Sequence, residues 1–269
     1  MDYLDFYGLD QEPFSMMPLN RFYYHSEQHD RALEKLQYAV STMKGLAVLI
    51  GDLGTGKTTL ARRLLESFPE DEYEASLLVI VHSDIDSTWL IKRVAMQLGV
   101  AEPANDKVEI LGQLFKRLVE IADANKKAVI LIDEAQMLKN PQLMEEFRGL
   151  LNLELPDKKL LSFVFFGLPE LDECLKSDPP LAQRVAVKHR LEPFKPETTM
   201  AYMHHRLSLA GVDDPIFTDD ACYHVHEHSK GVPRLINVLC DNSLFEGYIR
   251  KQKHIGTEII ETVSGDLGI

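Results

Sequence analysis

The stretch GLAVLIGDLGTGKTTL (45–60) decides the fold. An apolar run, GLAVLI (45–50), precedes the spacing G-x-x-x-x-G-K-T, and a segment of helical character follows. Strand, loop and helix in that order form the context in which this spacing cradles a nucleotide phosphate. Glycine-permitted turns aim backbone N–H groups inward, the helix supplies its positive end, and a lysine reaches the outer phosphates. The expected phosphate-binding residues are Gly51, Asp52, Leu53, Gly54, Thr55, Gly56, Lys57, Thr58 and Thr59, with the Thr58 hydroxyl also offered to Mg²⁺.

Outward from this loop, short apolar runs recur: SLLVIVH (76–82), KAVILID (127–133), LLSFVFFG (160–167) and a weaker VAVKHRL (185–191). Helical periodicity separates them, so the pattern is a β/α alternation and implies a five-stranded, mostly parallel sheet covered by helices on both faces. DSTWLIKRVAMQLG is expected to begin at an Asp86/Ser87 cap and stop at Gly99; the next helix is expected over 108–124. Two prolines in EPFKPET (192–198) mark a boundary, placing an α/β nucleotide-binding domain at 1–192 and a small helical domain at 193–269. AVILIDEAQ supplies Asp133 at the end of a strand read as a neighbour of the loop's own, where it would hold Mg²⁺ through a water. Glu134 follows, placed to orient or deprotonate a water attacking the γ-phosphate.

Composition bounds the function. With 269 residues and a net charge of −13, acidic residues outnumber basic ones on both sides of residue 190, which counts against a general nucleic-acid binder. No apolar run is long enough to span a bilayer, and the N-terminus lacks a basic-then-apolar leader. Cys174, Cys222 and Cys240 are widely spaced, suggesting neither a zinc site nor a disulfide framework; a reducing cytoplasm fits. HVHEHS (224–229) puts only His224 and His228 on one helix face, and an amphipathic helix with polar outer positions is the expected explanation.

The paired motifs, together with GVPRLIN (231–237) in the helical region, resemble AAA+ ATPases. FYGLDQEPFSMMPLNRFYYHSEQHDRALEKLQYAV (6–40), FFGLPEL (165–171) and GVPRLINVLCD (231–241) look more closely like the ExeA/GspA branch, the general secretion pathway protein A type. The resemblance implies a P-loop α/β domain followed by a helical lid, with residues 1–44 as an adenine-side segment and 18–24 folding over the base. Phe22 or Tyr23 would give apolar contact there, with a plain core role as the alternative. Arg234 would be the sensor 2 arginine, and Arg184 the finger entering a neighbouring subunit, with Arg190 as competitor. Relatives commonly carry glutamine where this chain has Leu168, which implies slow hydrolysis or a substitute sensor such as Ser162 or Gln136. The implied protein is a cytoplasmic, oligomeric, Mg²⁺-dependent ATPase serving a secretion, pilus or polysaccharide-export machine, recruited to the inner membrane through a partner. A DNA-associated ATPase of transposition and a nucleotide-controlled module with very slow turnover are the alternatives.

Overall fold

A computed structural model describes residues 2–17 and 22–269, and its contacts divide the chain into two compact units. The larger comprises residues 27–52 and 57–191. Its elements are α2 (Glu27–Ser41), β1 (Leu46–Gly51), α3 (Lys57–Glu66), β2 (Tyr73–Val79), α4 (Ser87–Gln97), α5 (Lys107–Asp123) and β3 (Lys127–Asp133). A 3₁₀ turn at Ala135–Met137 leads to α6 (Pro141–Leu151), β4 (Glu154–Leu155), β5 (Lys158–Lys159), β6 (Leu161–Gly167), α7 (Glu170–Ser177), α8 (Pro179–Ala182) and β7 (Val185–Leu191). Five strands form one parallel sheet in the order β2-β3-β6-β1-β7, while β4 and β5 make a separate antiparallel hairpin.

The central strands β1 and β6 are buried along their whole length, and β3 is buried after its first residue. Burial on both faces explains why their sequences are nearly continuous apolar runs. Val48, Ile50, Ile130, Ile132, Phe163 and Phe165 share a core with residues of α4, α5 and α6. Within it the Phe147 ring meets Phe163 and Phe165 at centroid distances of 5.1 and 4.8 Å. Edge strand β7 alternates exposure, as its weaker sequence pattern implied. The other edge, β2, begins at Tyr73 rather than at residue 76, because an edge strand extends through half-exposed residues that no apolar run marks.

Local chemistry fixes the helix starts. Asp86 accepts a hydrogen bond from Trp89 N at 2.7 Å to open α4, as expected, and Asp106 accepts from Val108 N and Glu109 N to open α5 at Lys107.

The second unit gathers the described residues up to Ser26, residues 53–56 and 192–269. It contains α1 (Tyr3–Tyr7), α9 (Pro196–Leu209), α10 (Asp219–Ser229), α11 (Pro233–Ile249) and α12 (Thr257–Leu267). The N-terminal residues, grouped with the α/β domain in the sequence reading, make their contacts here. Tyr7 Oη donates to Gln252 O at 2.9 Å, and Asp10 N donates to Ala210 O at 2.8 Å. Buried Arg206 donates to Pro13 O (2.6 Å) and Ser15 O (2.8 Å) and lies 4.5 Å from the Phe22 ring.

Gly231, ahead of Pro233 at the start of α11, has φ +72°, and a Cβ there would come 2.0 Å from Phe194 O. Phe194 N in turn donates to Gly231 O at 2.8 Å. Strain and collision with backbone act together, so Gly231→Ala is expected to destabilise the helical unit by roughly 2–3 kcal/mol. Urea denaturation measures this, and a loss below the uncertainty of the midpoint would contradict the assignment.

Candidate active site

The site is assembled at the carboxyl ends of the parallel strands, where open α/β sheets present their ligand-binding loops. Gly51 is the last residue of β1, and the loop that follows turns through Gly54 (φ +82°) and Gly56 (φ +101°). Lys57 opens α3, and its buried ammonium donates to Gly51 O and Asp52 O, both at 2.9 Å, holding the base of the loop closed. Thr55 is buried, Asp52 and Leu53 are exposed, and Thr59 is half-buried in the first turn of α3.

Next to Lys57, Thr58 Oγ1 donates to Asp133 Oδ2 at 2.7 Å. Asp133 stands at the end of β3, which is not the immediate neighbour of β1 expected from sequence, since β6 lies between them. The hydroxyl and carboxylate therefore meet across the end of an intervening strand. Asp133 is 1% exposed. Burial pushes its carboxyl above the ordinary range, against the hydrogen bonds from Thr58 and from Glu134 N. Two hard oxygen donors already drawn together are the donor set that Mg²⁺ prefers.

Glu134 adopts a left-handed conformation (φ 57°), which turns the chain off the strand and lets its N–H donate to Asp133 Oδ1 at 3.0 Å. Its carboxylate accepts from Gln136 Nε2 at 2.5 Å, and Gln136 Oε1 accepts from Leu168 N at 3.0 Å. The buried Gln136 amide thus bridges the acidic residue after β3 and the backbone after β6. Ser162, the other substitute named from sequence, lies near the opposite end of β6, where its hydroxyl contacts Met43 Sδ at 3.5 Å. It is five residues before Gly167, about 16 Å along a strand, which is too far to reach the phosphate end.

The arginines differ in setting. Arg184 Nη1 donates to Arg148 O at 2.7 Å beyond α8, whereas Arg190 is exposed on β7 with Nη2 3.9 Å from Asp172 Oδ2. In the helical unit, Arg234 N donates to Gly54 O at 3.3 Å, and its side chain is exposed. A Cβ at Gly54 would lie 2.8 Å from Arg234 Cβ and 2.9 Å from Val232 Cγ1, so glycine allows this approach. Phe22 and Tyr23 are both buried, at 2% and 7% exposure, with Tyr23 O accepting from His205 Nε2 in its donor tautomer at 3.3 Å. Residues 18–21 of the adenine-side segment lie outside the described residues.

The family model described as AAA domain matches residues 41–175, from the end of α2 through the loop and both acidic residues to α7. This chain belongs to the AAA family. It is 35% identical over 270 residues to General secretion pathway protein A of Aeromonas hydrophila, covering 99% of this chain and 47% of that protein. The chain is thus similar to the general secretion pathway protein A type over nearly its whole length, and it spans about half the length of that relative. Two solved structures share the fold at low identity. Cdc6p from Pyrobaculum aerophilum has a TM-score of 0.72 at 18% identity, covering 96% of this chain and 71% of that one. The RuvB Holliday junction branch migration motor of Thermotoga maritima has a TM-score of 0.59 at 19% identity, covering 88% and 69%. Among the described residues of this AAA chain, no helix is long and apolar enough to cross a membrane.

The buried carboxyl makes a signed prediction. Because native Asp133 holds its proton more tightly than the unfolded chain does, its contribution to stability falls as pH rises above the ordinary value of 3.8. Without nucleotide or Mg²⁺, the stability of wild type relative to Asp133→Asn should decline between about pH 4 and pH 7. Urea midpoints across that range check it; a constant gap, or one widening in favour of wild type, would contradict it.

Proposed function

We propose that this AAA chain hydrolyses ATP to ADP and phosphate and uses the cycle to drive or license assembly of a multiprotein envelope machine. The observation carrying the catalytic half is the 2.7 Å Thr58–Asp133 pair, with Glu134 fixed beside it by its own N–H and by Gln136. Thr58 and Asp133 would hold Mg²⁺, Asp133 through a water, and the ion when bound would neutralise charge on the phosphates. Lys57 exchanges its loop carbonyls for the outer phosphate oxygens. Glu134 takes a proton from the attacking water as the new bond to the γ-phosphorus forms, and the bond to the ADP oxygen breaks. Gln136 holds the glutamate and, in place of the absent glutamine at Leu168, supplies the polar side chain at the end of β6.

Arg234 is the proposed γ-phosphate-sensing cation, on the strength of its backbone bond to Gly54. Arg184 is the proposed finger into a second copy of the chain, which requires release from Arg148 O; Arg190 already faces Asp172. Tyr23 is the proposed adenine-side aromatic. The assignment of residues 1–192 and 193–269 as nucleotide-binding and lid domains is likewise a proposal, and the N-terminal contacts favour attaching the first residues to the lid. The envelope client follows from the likeness to General secretion pathway protein A, with action at the cytoplasmic side and recruitment to the inner membrane through a protein partner. Leu168 favours a second reading, a nucleotide-controlled interaction module with very slow turnover.

ATP turnover combined with sizing chromatography tests the proposal. Glu134→Gln is expected to retain ATP binding, lose at least about a hundredfold in kcat and accumulate a larger assembly with ATP. Unchanged turnover would remove Glu134 from its role. Arg184→Ala is expected to be inactive alone and to regain turnover when mixed with Lys57→Ala, whose finger is intact; no recovery on mixing would contradict action between subunits.

A further inference from the structure

The three histidines of HVHEHS separate once α10 is in place. His226 turns toward α9, where its Nδ1 lies 2.9 Å from Thr199 Oγ1. His224 and His228, one helical turn apart, present their rings together with centroids 6.5 Å apart. A third residue meets them from α12, more than 30 residues further along the chain. Glu261 Oε1 is 2.8 Å from His224 Nδ1 and 3.4 Å from His228 Nε2. The three candidate donor atoms all lie within 4.8 Å of one another. Glu227 Oε2 adds negative charge 3.9 Å from the same His224 nitrogen. Among the described residues, the hydrogen-bond and ion-pair partners of these two imidazoles include no lysine or arginine.

We propose that His224, His228 and Glu261 form a site for one divalent transition-metal ion of the zinc class, which pins α12 to α10. Small side-chain rotations bring the three atoms to the roughly 2.0–2.2 Å at which zinc binds imidazole nitrogen and carboxylate oxygen. Both imidazoles are then neutral and offer lone pairs where they otherwise need N–H groups to satisfy Glu261. Two nitrogen donors select zinc, cobalt, nickel or copper over Mg²⁺ and Ca²⁺, so the site is chemically distinct from the Thr58–Asp133 pair. Partial exposure of all three residues gives an ion a route in and leaves a fourth position for water.

The test uses the full chain, stripped with a chelator and kept nucleotide-free in excess Mg²⁺. Calorimetric titration with ZnCl₂ should give one site per chain. Free zinc at roughly a hundredfold excess over Kd should raise Tm by about 5 °C. Glu261→Gln should weaken the site at least about tenfold, and His224→Ala with His228→Ala should abolish it together with the thermal shift. Co²⁺ in the same site should give the visible absorption of a four-coordinate ion, absent in the double variant. Failure of wild type to bind, equal binding by the double variant, or binding without a thermal shift would each overturn the proposal.

Discussion

The hydrogen bond from Thr58 to Asp133 is the constraint on which the site depends. Its partners come from the first turn of α3 and the end of β3, and the strand order places β6 between β3 and β1. They meet only because the three strands run parallel and end at the same edge. That registration rests on the apolar interior of β1, β3 and β6, where Phe163 and Phe165 pack beneath Phe147. Loss of the Phe147 ring would leave a cavity of the kind that costs about 3–5 kcal/mol and would loosen the edge that aligns the carboxylate with the hydroxyl.

On this scaffold a buried carboxyl is kept where water cannot solvate it, and its pKa rises accordingly. Such a group is unfavourable in the empty protein and favourable opposite a divalent ion, so stability and function pull in opposite directions at Asp133. Glu134 is handled differently. Its left-handed backbone and its bonds through Gln136 to Leu168 N orient the carboxylate without burying it as deeply.

Most of the sheet was legible because buried parallel strands need continuous apolar runs; the edge strand β2 was misplaced at its start because half-exposed residues carry no such signal. The loop and the acidic pair were readable from local spacing. Interactions between distant segments were not. Arg206 ties the N-terminal residues to the helical unit across more than 190 positions, and no periodicity in either segment announces it. Glu261 was invisible for the same reason: HVHEHS gives the shared face of His224 and His228, but the carboxylate comes from another helix. Gln136 and Ser162 were both candidates in sequence; in the fold Ser162 lies near the start of β6, whereas Gln136, in the turn after β3, accepts from Leu168 N just past the end of β6.

The central claim is that a glutamine from the turn after β3 performs the polar task that Leu168 cannot. The most direct measurement is steady-state ATP turnover for Gln136→Ala, Leu168→Gln and the combined variant, with nucleotide affinity measured alongside. The account predicts that Gln136→Ala lowers kcat by at least about tenfold with little change in ATP affinity, and that adding Leu168→Gln restores much of the loss. Turnover in Gln136→Ala equal to wild type, or a loss confined to KM, would contradict it.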